Sequence, residues 1–321
     1  MSAPESAPPP PGRRLNRKHL VKAAVLAVWL GLLGWWQLES LSWPPPEKIE
    51  AAFIPDHYDL FALNYKGQKV GWAFKSLKRF PGGGYQAAQG LRLQAALPGR
   101  TLEIQTDISA NLSPVLDLVS FTQAVASPPV AVTEQGRVEN GRLVVRVSLG
   151  EYEELARALL DEHRDWLGAY ADLLDFSRPA DLPAPDGPGL APLAGPYLGY
   201  LGLTKGANYR LTVLDPFTRT LKPLEARVEA ETRQYDPEIA GEAAAFLVRT
   251  GPAEAGAGLW LDRFGRTLKE EAFGFTLLLV DNQEEARRDI TPFSPPPALM
   301  TMLESGAWTD LLARLRPDGQ E

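Results

Sequence analysis

Between residues 58 and 149, apolar and polar positions alternate in short runs, the signature of strands with one covered face. In Thr101–Ser109, Leu102, Ile104, Thr106 and Ile108 fall on one face, and Glu103, Gln105 and Asp107 on the other. Arg142–Leu149 repeats the pattern, with Leu143, Val145, Val147 and Leu149 set against Arg142, Val144, Arg146 and Ser148. Turn residues separate the runs at Lys66-Gly67, Pro81-Gly82-Gly83-Gly84, Pro98-Gly99, Ser127-Pro128-Pro129 and Asn140-Gly141. Asn-Gly suits a tight type I′ turn, whose two central residues both need positive φ. The spacing predicts about six or seven strands here, in an antiparallel meander.

The period changes at residue 151. Leu155, Leu159, His163, Trp166, Leu167, Tyr170 and Leu174 recur every three or four residues, predicting an amphipathic helix with acids at its start. The proline-rich stretch from Arg178 to Pro196 has too little periodicity for regular structure and is long for a passive loop. It reads as a domain boundary or as a cover over one side of the sheet. Strands resume at Tyr209–Leu214, then near 224–234, 243–250 and 257–262, with Asp262-Arg263-Phe264-Gly265 as a turn into 266–280. A last helix is expected over Ala298–Leu315, and no internal repeat is present. The predicted fold class is mainly β with a few helices: an antiparallel open barrel or curved sheet(s), preceded by one transmembrane helix. The β-rich part, 57–321, is read as one domain or as two subdomains, 57–177 and 197–321.

Ahead of the strands, Ala23–Trp36 carries no charge and no strongly polar residue. With Leu20, Val21 and Leu38 added and Lys22 snorkelling, a helix here reaches roughly 28 Å, close to the hydrocarbon layer of a bilayer. Trp35, Trp36 and Trp43 collect at its C-terminal end, where indoles favour the headgroup level. The basic residues all precede it, so residues 1–19 are read as a disordered cytoplasmic tail and 20–41 as a signal-anchor helix. Residues 42–56, with Pro44, Pro45 and Pro46, form a stiff spacer. The rival reading, a cleaved signal peptide, lacks a small-x-small cleavage site in the segment after the apolar run. The expected location is therefore the bacterial inner membrane, single-pass, with the N-terminus cytoplasmic and the bulk of the chain periplasmic.

Composition narrows the chemistry. The net charge is −7; residues 1–22 carry five basic residues against Glu5, leaving −11 for the remainder. So acidic a domain is a poor general binder of nucleic acid and is not expected to lie flat on anionic lipid. The chain has no cysteine, which removes disulfides, thiolate metal sites, thiol nucleophiles and a lipidated cysteine together. Of three histidines, His19 belongs to the cytoplasmic flank, His163 lies on the apolar face of a helix and His57 opens the first strand. No metalloprotease, nucleophile-elbow, P-loop or calcium-loop motif occurs. Gly82-Gly83-Gly84 reads as a hairpin turn. Acidic pairs such as Asp161-Glu162 and Glu270-Glu271 leave a carboxylate hydrolase open as an alternative. No cofactor is expected. The aromatic residues are more suggestive, because Tyr65, Trp72, Phe74, Leu102, Ile104, Trp260 and Phe275 read either as core or as the lining of an apolar groove.

Three segments carry a resemblance. Phe61–Leu77 (FALNYKGQKVGWAFKSL) is similar to the opening hairpin of an exported β domain that precedes transglutaminase-like modules in bacterial envelope proteins. Lys205–Phe217 (KGANYRLTVLDPF) and Leu259–Asp281, with its Trp-x-Asp-x-x-Gly turn, resemble later elements of the same family. These motifs specify hairpins rather than chemistry, and a Cys-His-Asp module cannot be built without cysteine. At the level of fold alone, the chain also looks like lipoprotein-carrier and lipopolysaccharide-export periplasmic domains, whose open barrels bind acyl chains. The resulting expectation is a non-enzymatic binding or accessory protein of an envelope system, with a lipid or lipoprotein as ligand and an ABC-type transporter or transglutaminase-like protein as partner. A structural module that pairs its sheet edges with another protein is the alternative.

Overall fold

The computed structural model describes residues 54–97, 100–127, 130–150, 153–154, 179–215, 219–251 and 256–294. The expected tail, anchor and most of the spacer lie outside these residues. So do most of the helix after residue 151, with His163, and the helix expected over Ala298–Leu315. Among the described residues no helix is long and apolar enough to cross a membrane. The described strands all belong to the unit Ser40–Pro295.

Seven strands follow one another in the first block: β1 (His57–Tyr65), β2 (Gln68–Arg79), β3 (Tyr85–Leu97), β4 (Arg100–Leu112), β5 (Leu118–Ser127), β6 (Val130–Glu139) and β7 (Arg142–Ser148). Each pairs antiparallel with the next, as the alternation predicts. The turns use the expected chemistry. Lys66 and Gly67 have φ of 50° and 82°, and Asn140 and Gly141 have φ of 52° and 74°, which matches the right-handed twist of the flanking strands.

The proline-rich stretch, expected to lack regular structure, supplies both a strand and a helix. β8 (Ala180–Pro183) extends the sheet beyond β7, and a 3₁₀ turn (Ala191–Leu193) leads into α1 (Ala194–Leu201). Pro196 is tolerated because it sits in the first turn of α1, where no intrahelical N–H is needed. The second block comprises β9 (Asn208–Asp215), β10 (Thr220–Asp236), β11 (Gly241–Thr250), β12 (Ala257–Leu261), β13 (Thr267–Ala272) and β14 (Phe275–Val280), followed by α2 (Gln283–Arg287). The run 266–280 is thus two strands, broken at Phe273 and Gly274 (φ of 53° and 81°), a tight turn without an Asn or Asp to announce it.

β14 returns to pair with β1, so the two blocks join in one sheet of fourteen strands, β8-β7-β6-β5-β4-β3-β2-β1-β14-β13-β12-β11-β10-β9. The sheet is curled. One apolar cluster unites Leu77 of β2, Ile108 of β4, Phe121 of β5, Leu143 of β7, Leu211 of β9, Val248 of β11 and Leu261 of β12, strands drawn from across the whole order. Near the open seam, Gly189 bridges Val213, with Leu214 N donating to Gly189 O at 2.8 Å.

α1 fills the curl; seven of its eight residues are buried. It docks through small residues. A Cβ on Gly199 would lie 2.1 Å from the Phe264 carbonyl carbon, and one on Gly195 2.7 Å from Gly265 O. The turn it meets is shaped by Asp262, whose Oδ1 accepts from Phe264 N at 2.8 Å and Arg266 N at 3.0 Å. The Trp-x-Asp-x-x-Gly pattern is therefore a docking platform for a helix.

Candidate functional site

Across β1 to β6 a row of polar residues crosses the mainly apolar covered face of the sheet. Register places Asp59 opposite Lys75, Lys75 opposite Gln89, Gln89 opposite Ile108, Ile108 opposite Gln123, Gln123 opposite Glu134 and Glu134 opposite Val147. Five polar side chains thus line up across β1 to β6 on a single face, perpendicular to the strands. On one side of this row lies the cluster around α1, including Leu77, Ala87, Ala110, Phe121 and Val145. On the other side lies a second cluster, with Phe61, Leu63, Ala73, Leu277, Leu279 and Phe293.

Burying polar groups is costly unless they are paired. At the β1 end they are only partly so. Arg266 Nε donates to Asp59 Oδ1 at 2.8 Å, while its Nη1 reaches Asp236 Oδ2 at 3.0 Å and Glu238 Oε2 at 3.1 Å. One guanidinium thereby holds carboxylates from β1 and from the turn after β10. Burial disfavours its charge, but the three acids more than offset that and raise its pKa. His57 Nε2 stands 3.7 Å from Asp59 Oδ2, an atom with no hydrogen-bond partner. Burial raises the Asp59 pKa, against the pull of His57 and Arg266. Lys75 Nζ donates to Glu270 Oε2 at 2.7 Å and Thr267 Oγ1 at 3.3 Å, pinning β2 to β13 across the interior.

At the other end, Glu134 is 4% exposed. Burial pushes its carboxyl up to about 7; Asp215 adds to the shift and Arg219 opposes it. Among the described residues, four buried side-chain oxygens lack a hydrogen-bond partner: Asp59 Oδ2, Gln89 Oε1, Glu134 Oε1 and Glu225 Oε1. The first three belong to the row. All are acceptors, so what the row lacks is donors.

Beyond the row the second side is not uniformly closed. Over β1, β2 and β14 it is sealed, with Phe61 and Ala73 fully buried. Over β3 to β6 the same face presents Leu91, Leu93, Leu102, Ile104, Thr106 and Val132 only half-buried, and Val125 is 38% exposed. This apolar wall begins two residues along each strand from Gln89, Gln123 and Glu134. On the opposite face of β4 to β7, a cavity of about 410 Å³ is lined instead by Ser109, Asn111, Thr122, Arg137 and Arg146.

The residues expected to line a groove divide between the two faces. Tyr65 and Phe275 meet at 4.7 Å, and both stack against Phe293, at 5.4 and 5.7 Å. Leu102 packs against the same cluster and Ile104 lies beside it on the wall. Trp72 and Phe74 face the other way. Trp72 lies between Arg287 at 4.4 Å and Arg92 at 5.9 Å, and Phe74 covers Gly90 and stacks on Tyr58 at 5.8 Å. Trp260 joins the second cluster beside its strand partner Leu247, with Lys269 Nζ 4.4 Å from its ring. The expected membrane-interface residues Lys22, Trp35, Trp36 and Trp43 lie outside the described residues. Sequence reading missed the polar row, although β3 and β5 carry its signal, a lone polar residue on an otherwise apolar face, in Ala87-x-Gln89-x-Leu91 and Phe121-x-Gln123-x-Val125.

No protein-family model and no curated protein matches the chain. Among solved structures it is similar to a β-barrel-like protein of a domain of unknown function (DUF1849) from Brucella abortus. The TM-score is 0.46 and the identity 12%, over 71% of this chain and 97% of that one.

Proposed function

We propose that this chain is a non-enzymatic, membrane-tethered periplasmic binding protein of a bacterial envelope system, and that an acyl chain of a lipid or lipoprotein lies on the apolar wall of its curled sheet. The single observation that carries this reading is the wall itself. Leu91, Leu93, Leu102, Ile104, Val125 and Val132, with Thr106 between Leu91 and Val125, form a largely apolar, incompletely buried strip on the face that elsewhere packs a closed core. Leu102 to Ile108 alone runs about 20 Å along one strand, long enough for an extended acyl chain. The tether comes from the sequence, as does the expected service to an ABC-type transporter or a transglutaminase-like neighbour.

The test is native mass spectrometry of the full chain released from nanodiscs made of bacterial lipid. The wild-type chain retains lipid, and Leu93→Glu or Ile104→Glu, each placing a charge on the wall, lowers the retained fraction at least tenfold. A chain that retains none, or variants that retain as much as wild type, overturns the reading.

A specific observation also favours strand addition as a second reading. On the side away from β11, β10 pairs with β9 only through residues 220–227, so among the described residues its continuation to Asp236 has no strand on that side. Exposed Glu229, Glu231 and Arg233 along this segment restrict which strand could add there.

A further inference from the structure

We propose that the end of the polar row bordering the wall, from Gln89 to Glu134, is the headgroup site of the same ligand, and that it selects an amphiphile whose polar end is a hydrogen-bond-donating ammonium group over one ending in an anion. This inference rests on the lipid reading and adds the chemistry of the polar end. Three observations carry it. Gln89 and Glu134 lie at the end of the row that borders the wall, with Ile108 and Gln123 between them in register, and each has a buried oxygen without a hydrogen-bond partner. Glu134 is 4% exposed, so solvent cannot supply the missing donor at will. The row also abuts the wall directly. Leu91 follows Gln89, Val125 follows Gln123 and Val132 precedes Glu134 by two residues on the same face, about 7 Å along the strand.

A chain lying on the wall therefore ends where the acceptors are. The nearby cations are committed: Lys75 to Glu270 and Lys222 to Asp215 at 2.5 Å, while buried Arg219, whose charge acts on Glu134, has interactions of its own. A carboxylate or phosphate arriving here would meet buried Glu134 and orphaned acceptors. An ammonium group would supply three donors and a compensating charge.

The experiment offers the full chain, in a neutral detergent, an equimolar mixture of dodecylamine and dodecanoate below their micellar concentrations. Native mass spectrometry then reads the retained ratio. Wild type is expected to retain the amine at least tenfold over the carboxylate. Glu134→Gln, nearly isosteric, is expected to bring the ratio close to one. Gln89→Leu removes an acceptor without adding a polar group, so it keeps the fold and lowers amine retention several-fold. If both amphiphiles are retained equally, or the ratio is the same in Glu134→Gln, the headgroup assignment is wrong while the lipid reading stands. If neither is retained, both fall.

Discussion

Glu134 shows what a single residue in the row does to the molecule. Its pKa in the fold, about 7, exceeds the ordinary value of 4.5, and burial is the main cause. The sign follows from linkage. The folded chain binds a proton that the unfolded chain has released, so the contribution to stability is complete below pH 4.5 and is lost as pH rises through 7. Glu134→Gln stays neutral throughout. Its stability relative to wild type should be near zero at pH 4.5, grow across the interval, and level off above pH 7 at up to about 3 kcal/mol, since each tenfold change in proton affinity is worth about 1.4 kcal/mol. Urea unfolding of both proteins at about pH 4.5 and pH 8 checks this; a difference independent of pH would sink it. The sequence makes Glu134 look like any solvated strand residue in Thr133-Glu134-Gln135. Only the register to Gln123 and Val147 places it inside.

At the scale of elements, the strands and their turns were readable because they depend on local chemistry. Alternation marks β4 and β7, and Asn140-Gly141 sets a positive-φ turn, without help from distant residues. Helix α1 was not readable. Gly195, Pro196 and Gly199 lower its intrinsic propensity, and it forms because burial of Tyr197, Leu198, Tyr200 and Leu201 inside the curl outweighs that weakness. The same glycines that hide the helix allow it to dock. Gly199→Ala should improve helix propensity by about 1 kcal/mol and still destabilise the protein, because the new Cβ would stand 2.1 Å from the Phe264 backbone. Backbone cannot yield as a flexible side chain can, so a net loss of about 1–3 kcal/mol is expected in urea unfolding. Gly206→Ala is the control for a loop glycine with nothing within 4 Å, although its φ of 83° makes that change strained for a different reason. A Gly199→Ala protein as stable as wild type would mean that α1 shifts freely on its platform.

For the molecule as a whole, the joining of β1 to β14 decides whether the two strand blocks can stand apart. The sequence alone leaves one domain or two open, because nothing local announces a pairing between residues more than two hundred positions apart. In the fold, Phe61 faces Ala73 of β2 on one side and Leu279 of β14 on the other, and both apolar clusters draw on strands from each block. Lys75 reaches Glu270 and Arg266 reaches Asp59, so the polar row is also stitched across the two blocks. A fragment of residues 57–177 would expose the β14-facing edge of β1 and lose α1 from its core. A fragment of residues 197–321 would strand Arg266 and Glu270 without their partners and break α1 in its middle. Neither is expected to fold alone: each should lack dispersed amide resonances and near-ultraviolet circular dichroism. Mixed in equal amounts at micromolar concentration, they should regain part of the native signal, since the lost pairings are recoverable in trans. The intact chain should unfold in one transition by tryptophan fluorescence and circular dichroism alike. A 57–177 fragment with a cooperative transition of its own would show that β1 to β7 hold together without α1 or the second block, and would separate the wall on the early strands from the closure at β14.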